Sequence, residues 1–255
     1  MRIISTVPSQ TELLFDLGLR EEVIGITKFC VHPNEWFRTK TRIGGTKNLN
    51  IKKIIALQPD LIIANKEENV KEQISALQKQ FKVYVSDVKN LADALKMISE
   101  TGELVNKKKE AKKIISGIKK QFKKPSNPQR GNMKTKVPFG DSGTVYLIWR
   151  NPYMTIGNDT FIHDMITRCG FKNVFGDLKR YPEITPEQIA ASKPDFIFLS
   201  SEPYPFKQKH IEELKTISPT SKIILVNGEY FSWYGSRLLK AAQYFRQLME
   251  ELKNA

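Results

Sequence analysis

Apolar positions along the chain follow two rhythms. Short apolar runs at Ile3 to Val7, Val23 to Thr27, Val83 to Val85, Thr144 to Trp149 and Lys222 to Val226 read as strands. Between them, apolar residues return at helical spacing. Leu13, Leu14 and Leu17 line one face of a helix that Gly18 stops, and Ser9 with Glu12 fits a capping box at its start. Another helix should begin at Asp159 or Thr160 and end at Cys169-Gly170, and a final amphipathic one uses Leu238, Leu239, Ala242, Phe245 and Leu248. Strands separated by helices of this length predict an α/β fold with mostly parallel sheets, because a parallel connection needs a crossover element.

One pattern occurs twice. Leu49 to Glu67 (LNIKKIIALQPDLIIANKE) and Ile184 to Glu202 (ITPEQIAASKPDFIFLSSE) align without a gap at an offset of 135 residues. Ile54 matches Ile189, Ala56 matches Ala191, Pro59-Asp60 match Pro194-Asp195, Ile62 matches Ile197 and Glu67 matches Glu202. Each copy reads as a short helix, a Pro-Asp corner, a buried strand and an acidic tip. Proline cannot continue the helix and biases the residue before it towards extended geometry. A supersecondary unit used twice predicts two similar α/β lobes with a ligand cleft between them.

The span from Asn90 to Lys123 differs in kind. Leu91, Ala94, Leu95, Ile98, Val105, Ala111, Ile114, Ile115, Ile118 and Phe122 recur at helical spacing, with Lys and Glu between them. A continuous helix there would be roughly 50 Å long, enough to connect two lobes, although Thr101-Gly102 could kink or split it and Gly117 weakens it. Residues 124–143, rich in Pro, Gly, Asn and Lys, read as an exposed linker. The predicted domains are an N-terminal lobe over 1–89, a connecting helix over 90–123 and a C-terminal lobe over 124–255 that begins with the linker.

With 255 residues, 40% of them hydrophobic and 27% charged, the chain is a globular protein rather than a disordered one. No apolar run reaches the roughly 20 residues of a membrane helix, and no basic and apolar leader pattern precedes Ile3. Either a leader has been lost or the protein stays in the cytoplasm. The formal charge is +14, much of it in clusters at Lys107 to Lys113 and Lys119 to Lys124 inside the helical pattern, where a charge run is ordinarily a solvated face. Nucleic-acid binding lacks the interleaved aromatics or reader motif it needs. An anionic ligand or an acidic membrane surface is compatible with the excess charge. Cys30 and Cys169, one in each half, fit small buried hydrophobes better than a disulfide.

The opening STVPSQTELLFDLGL, the segment GGTKNLNIKKIIALQPDLIIA and the segment WRNPYMTIGNDTFIHDMITRCGFKNVF resemble the class III substrate-binding proteins of ABC importers, the receptors for cobalamin, iron-siderophore complexes and haem. The resemblance covers nearly the whole chain. It implies two α/β lobes joined by one long backbone helix, with little opening and closing. It also implies an extracytoplasmic, periplasmic or membrane-associated monomer that hands an organic metal chelate to a membrane permease, needs no cofactor and has no catalytic residues. In that family an exposed Glu on each lobe docks into Arg pockets of the permease. Glu67 and Glu202 hold matching repeat positions and resemble those residues, with Glu68 and Glu72 as further first-lobe candidates. Where the cobalamin receptors carry Trp, this chain has Asn65 and Tyr181, so a ligand other than cobalamin is credible.

In open α/β sheets ligands gather at the carboxyl ends of strands. Loops at such ends supply Ser9, Lys28, Phe29, Thr46 and Asn65 in the first lobe and Trp149, Arg150, Tyr153, Arg180 and Tyr181 in the second. Tyr230, Phe231, Trp233 and Tyr234, with Arg237 after them, would suit a large planar anion if exposed and would be core if buried. Arg150 and Arg180 could hold a carboxylate or form internal ion pairs. Ser9 could present an anion site or merely cap its helix. Cys30 and His32 are too few for a metal site, and His163 and His210 are scattered, so no direct metal site is expected. The rival function is a cytoplasmic tetrapyrrole metallochelatase on a related scaffold, which the missing leader favours. Against it, no triad order, phosphate loop or acid pair is present.

Overall fold

A computed structural model describes residues 1–123 and 142–254. Nearly all of the predicted linker lies outside the described residues. The chain forms two contact units, one of Met1–Val88, Ala92–Ile118 and Trp233–Leu239, the other of Lys89–Leu91, Lys119–Ser232 and Lys240–Ala255.

The first unit opens with β1 (Ile3–Ser5), α1 (Pro8–Asp16), β2 (Val23–Ile26), α2 (Asn34–Thr39) and β3 (Thr41–Arg42). It continues with α3 (Ile51–Ala56), β4 (Leu61–Asn65), α4 (Lys71–Gln78) and β5 (Val83–Ser86). Its sheet has the order β3-β2-β1-β4-β5, every adjacent pair parallel. Ile4, Ile43, Ile54, Ile62, Ala64 and Leu77 pack on it as core.

The helical span after it is two helices, α5 (Leu91–Leu104) and α6 (Lys108–Lys123), not the single rod expected. The break has a local cause. Asn106 takes a left-handed φ of 57°, the Asn106 amide donates to the Glu103 carbonyl, and the Lys107 amide donates to the Gly102 carbonyl. That pair of bonds is a Schellman stop, and Asn tolerates the left-handed region better than most residues. Gly102 is where the two helices approach: a Cβ there would lie 2.4 Å from the Ala111 Cβ.

The second unit contains β6 (Gly143–Leu147), β7 (Tyr153–Met154), α7 (Phe161–Cys169), β8 (Lys172–Asn173), β9 (Glu183–Ile184) and α8 (Pro186–Ala191). Then come β10 (Phe196–Ser200), α9 (Gln208–Ile217), β11 (Lys222–Val226), α10 (Glu229–Ser232) and α11 (Leu238–Asn254). The main sheet, β11-β10-β6-β8, is again all parallel, and β7 pairs antiparallel with β9. Thr160 caps α7 by accepting from the His163 amide, and Gly170 ends it at φ 94°, as the sequence predicts.

The repeat is structural down to single bonds. Asn50 caps α3 through the Lys53 amide, and Thr185 caps α8 through the Gln188 amide. Gln58 and Lys193 both turn through positive φ, 44° and 42°. The Asp60 carboxylate accepts from the Arg2 amide at 2.6 Å while the Asp60 amide donates to the Arg2 carbonyl. Asp195 repeats both bonds with Gly143, at 2.7 and 2.8 Å. Each Pro-Asp corner thus clips the strand that follows it to the start of the central strand of its sheet.

Candidate functional site

In each sheet the chain runs out to one side of the central strand and returns on the other: β1 lies between β2 and β4, and β6 between β8 and β10. Loops diverge at such a switch point, which leaves room at the strand carboxyl ends. There stand Thr6 to Ser9 and Asn65 to Glu67 in the first unit, and Ile148 to Arg150 and Ser200 to Glu202 in the second.

A buried polar network floors the first of these places. The Thr6 hydroxyl donates to Asn69 Oδ1, which also accepts from the Asn65 amide, while Asn69 Nδ2 donates to the Thr46 carbonyl. Asn65 Nδ2 donates to the Ser86 carbonyl and hydroxyl oxygens, and Gln10 Nε2 donates to the same hydroxyl at 2.7 Å. Asn65 Oδ1 accepts from the Glu67 and Glu68 amides. Asn65 and Thr46, expected as ligand contacts, therefore shape the loops from within. Ser9 is also buried. Helix α1 begins at Pro8 with Val7 as an N-cap that makes no side-chain bond, so the expected Ser9–Glu12 capping box does not form.

Glu12 has another partner. It accepts two bonds from Arg237, at 2.9 and 2.7 Å, and the guanidinium lies 4.6 Å from the Trp233 ring centroid. Trp233 also meets His32 edge to face at 5.5 Å. Burial pushes the Glu12 carboxyl above its usual range, opposed by the bonds from Arg237. Arg237 and Trp233 accordingly brace the loop after β2. That loop carries Lys28 and the 51% exposed Phe29, with the Lys28 Nζ 5.1 Å from the Phe29 centroid. Cys30 beside them is buried, its Sγ within 3.1 Å of the Thr11 and Thr27 hydroxyls, and burial raises its thiol pKa.

In the second unit Trp149 is 40% exposed and meets Tyr204 edge to face at 5.7 Å. Arg150 is turned away into an ion pair with Glu213, whose carboxylate also accepts from the Tyr153 hydroxyl. Burial would raise the Glu213 carboxyl, but the bonds from Arg150 and Tyr153 outweigh it and hold it below its usual range. Arg180 is exposed, turns at φ 59° and lies 5.6 Å from the Tyr181 centroid. The aromatic run before α11 is core rather than ligand surface: Phe231 is fully buried among Tyr146, Phe198, Tyr244 and Phe245, and Tyr230 stacks on Tyr244 at 4.5 Å. The expected exposed cluster is corrected accordingly.

The acidic tips are also not the exposed carboxylates expected. Glu67 and Glu202 are both half-buried, and Glu202 Oε1 accepts from the Ser232 hydroxyl at 2.6 Å. His163 contacts Asn173 and His210 contacts Tyr204. Among the described residues no group of three His, Cys, Asp or Glu side chains could hold a metal ion, and no helix is long and apolar enough to cross a membrane. Sequence reasoning missed Glu12 and Glu213, the carboxylates that occupy two candidate arginines. They lie 225 and 63 residues from those partners, and no local pattern links them.

Two parallel sheets built on a duplicated helix–corner–strand unit, with site loops at both switch points, define a two-unit binding-protein fold. The chain belongs to the periplasmic binding protein family, whose model matches residues 3–220. It is 25% identical over 257 residues to a vitamin B12-binding protein of Pectobacterium atrosepticum, covering all of this chain and 90% of that one. Among solved structures, a periplasmic heme-binding protein from Roseiflexus sp. RS-1 superposes with a TM-score of 0.80 at 18% identity, covering 99% and 98% of the two chains. An ABC-type Fe3+-hydroxamate transport protein from Saccharomonospora viridis superposes at 0.73 with 16% identity, covering 97% and 92%. The family and these relatives are substrate-binding proteins, not enzymes, and the chelatase alternative falls with that.

Proposed function

We propose that this protein is the extracytoplasmic receptor of an ABC importer, binding an organic metal chelate such as a siderophore, haem or corrinoid as a monomer and delivering it to a membrane permease. The relatives support that substrate class, since they bind vitamin B12, heme or, by description, Fe3+-hydroxamate. The observation that carries the reading is where aromatic surface is left open. Among the described residues Phe29 and Trp149 are the exposed Phe and Trp side chains, and both stand on loops at strand carboxyl ends. Lys28 lies over Phe29 and Arg180 over Tyr181. Aromatic faces beside cations suit a bulky, partly anionic chelate, which brings its metal already coordinated.

Trp149 supplies the test. Of the chain's 3 tryptophans, Trp36 and Trp233 are buried. Titration with haemin, cyanocobalamin and a ferric hydroxamate should quench tryptophan fluorescence saturably with one of them, at one equivalent, and Trp149→Phe should remove most of the quench. Absence of saturable quenching and of any absorbance change with all three would overturn the proposal.

A further inference from the structure

Helix α6 is divided by chemistry along its whole length. Its sequence, KKEAKKIISGIKKQFK, has seven lysines and one glutamate in 16 residues, a local charge of 7 − 1 = +6 out of a chain total of +14. Ala111, Ile114 and Ile118 are its buried residues. Lys108, Lys109, Lys112, Lys113, Lys119, Lys120 and Lys123 are all exposed. At about 100° per residue these seven and Ser116 fill an arc of roughly 140°, in which no apolar or acidic residue falls, over a length of about 22 Å. Among the described residues only Lys108 of the seven has a carboxylate partner, Glu103 at 3.4 Å.

We propose that this lysine face is an adsorption surface for an anionic lipid bilayer. A solvated helix needs charge but gains nothing from charge of one sign, and like-charged residues three and four apart repel. The cost is met where a field of opposite sign is close by. The composition selects the partner. The face carries no arginine and no aromatic residue, so it offers neither the planar fork that reads a shaped phosphate site nor a platform for bases. Ammonium point charges on flexible stems suit a fluid layer of headgroup phosphates, which needs attraction without registry. With no apolar residue in the arc, binding is electrostatic and superficial rather than insertive. It is independent of which chelate the protein carries.

The test is co-sedimentation of the ligand-free full chain with vesicles of phosphatidylcholine alone and of phosphatidylcholine containing about one-third phosphatidylglycerol, at low salt. Binding is expected only to the anionic vesicles. It should be released as salt rises from ~0.1 to ~0.5 M, which shortens the screening length from ~10 to ~4 Å. Each lysine near an anionic surface contributes roughly a five-fold gain in partitioning, so Lys112→Gln, Lys113→Gln, Lys119→Gln and Lys120→Gln together should weaken binding on the order of several hundred-fold. Glutamine sustains a helix, and a far-UV CD spectrum like that of the wild type checks that it has. A control with the same charge loss, Lys52→Gln, Lys79→Gln, Lys209→Gln and Lys215→Gln at exposed sites off α6, should retain binding. The proposal is overturned if no anionic vesicle binds, if the control set weakens binding as much as the α6 set, or if duplex DNA competes more tightly than vesicles. Fluorescence titration with chelates, run on the same α6 variant, should be unchanged, so failure here is separable from failure of the receptor assignment.

Discussion

Replacing Phe231 by alanine removes a ring that four others enclose, with centroids 4.8 Å away at Phe245, 5.3 Å at Tyr146, 6.2 Å at Tyr244 and 6.4 Å at Phe198. The residue is 0% exposed. Burying at least ~150 Å² of ring at ~25 cal/mol per Å² gives about 4 kcal/mol, and lost aromatic contacts add to it while partial collapse of the cavity subtracts. A loss of about 3–5 kcal/mol follows. At ~2–4 °C per kcal/mol for a chain of this length, the melting transition of the second unit should fall by roughly 6–20 °C. Calorimetry on ligand-free protein measures it, since bound ligand would raise the transition by mass action. Trp149→Ala is the counterpart: an exposed ring with one edge contact should shift the melt by no more than about 2 °C and should weaken chelate binding instead. A Phe231→Ala protein that melts within about 2 °C of wild type yet binds chelate poorly would show that the ring faces ligand, and the core assignment would be wrong.

Two further outcomes follow from bonds already described. Asp60→Ala and Asp195→Ala should each cost about 1 kcal/mol in urea denaturation, since each removes one charge-assisted bond to a strand-opening amide at an exposed corner, and the double variant should show their sum. Unequal losses differing by more than about 2 kcal/mol would deny that the two corners are equivalent. The second concerns acid. The folded pKa of Glu213 lies below its ordinary 4.5, so the folded state favours the ionised carboxylate. Its stabilisation is complete above the unfolded value and is lost as pH falls from about 4.5 through the lower folded value. Glu213→Gln should abolish that part of the acid slope in denaturation midpoints measured between about pH 5 and pH 3. An unchanged slope would place the acid sensitivity elsewhere.

The strands and helix ends were legible because their causes are local. Lys222–Val226 is the strand that its apolar run marks out, and Thr160 and Gly170 bound α7 as capping chemistry requires. The break between α5 and α6 falls at Asn106, four residues beyond Gly102, where the sequence allows a kink or split. Gly102, a weak helix former in sequence, is a packing point for Ala111, and Asn106, four residues before Glu110, is the stop. Fates of arginines were beyond local pattern altogether. Arg150 and Arg237 look like ligand cations until the fold brings Glu213 and Glu12 to them, and a cation already held by two bonds is a brace for its loop. Burial of Phe231 is likewise decided by β6, β10 and α11 together, not by its own neighbours in sequence.

The repeat shows where such matching stops being informative. Its two copies agree at the cap, the positive-φ turn and the aspartate clip, which are the parts any helix–corner–strand unit needs in order to enter a parallel sheet beside its central strand. They part company at the strand end. Asn65 gathers Ser86 and the amides of Glu67 and Glu68, whereas at the matching position the Ser200 hydroxyl accepts from Tyr146 and donates to the Glu202 carbonyl. Asn65 and Ser200 therefore share a place in the alignment without sharing a hydrogen-bond network. Divergence begins at the switch point, five residues after the aspartate clip, where the loops stop serving the sheet and are free to serve a ligand.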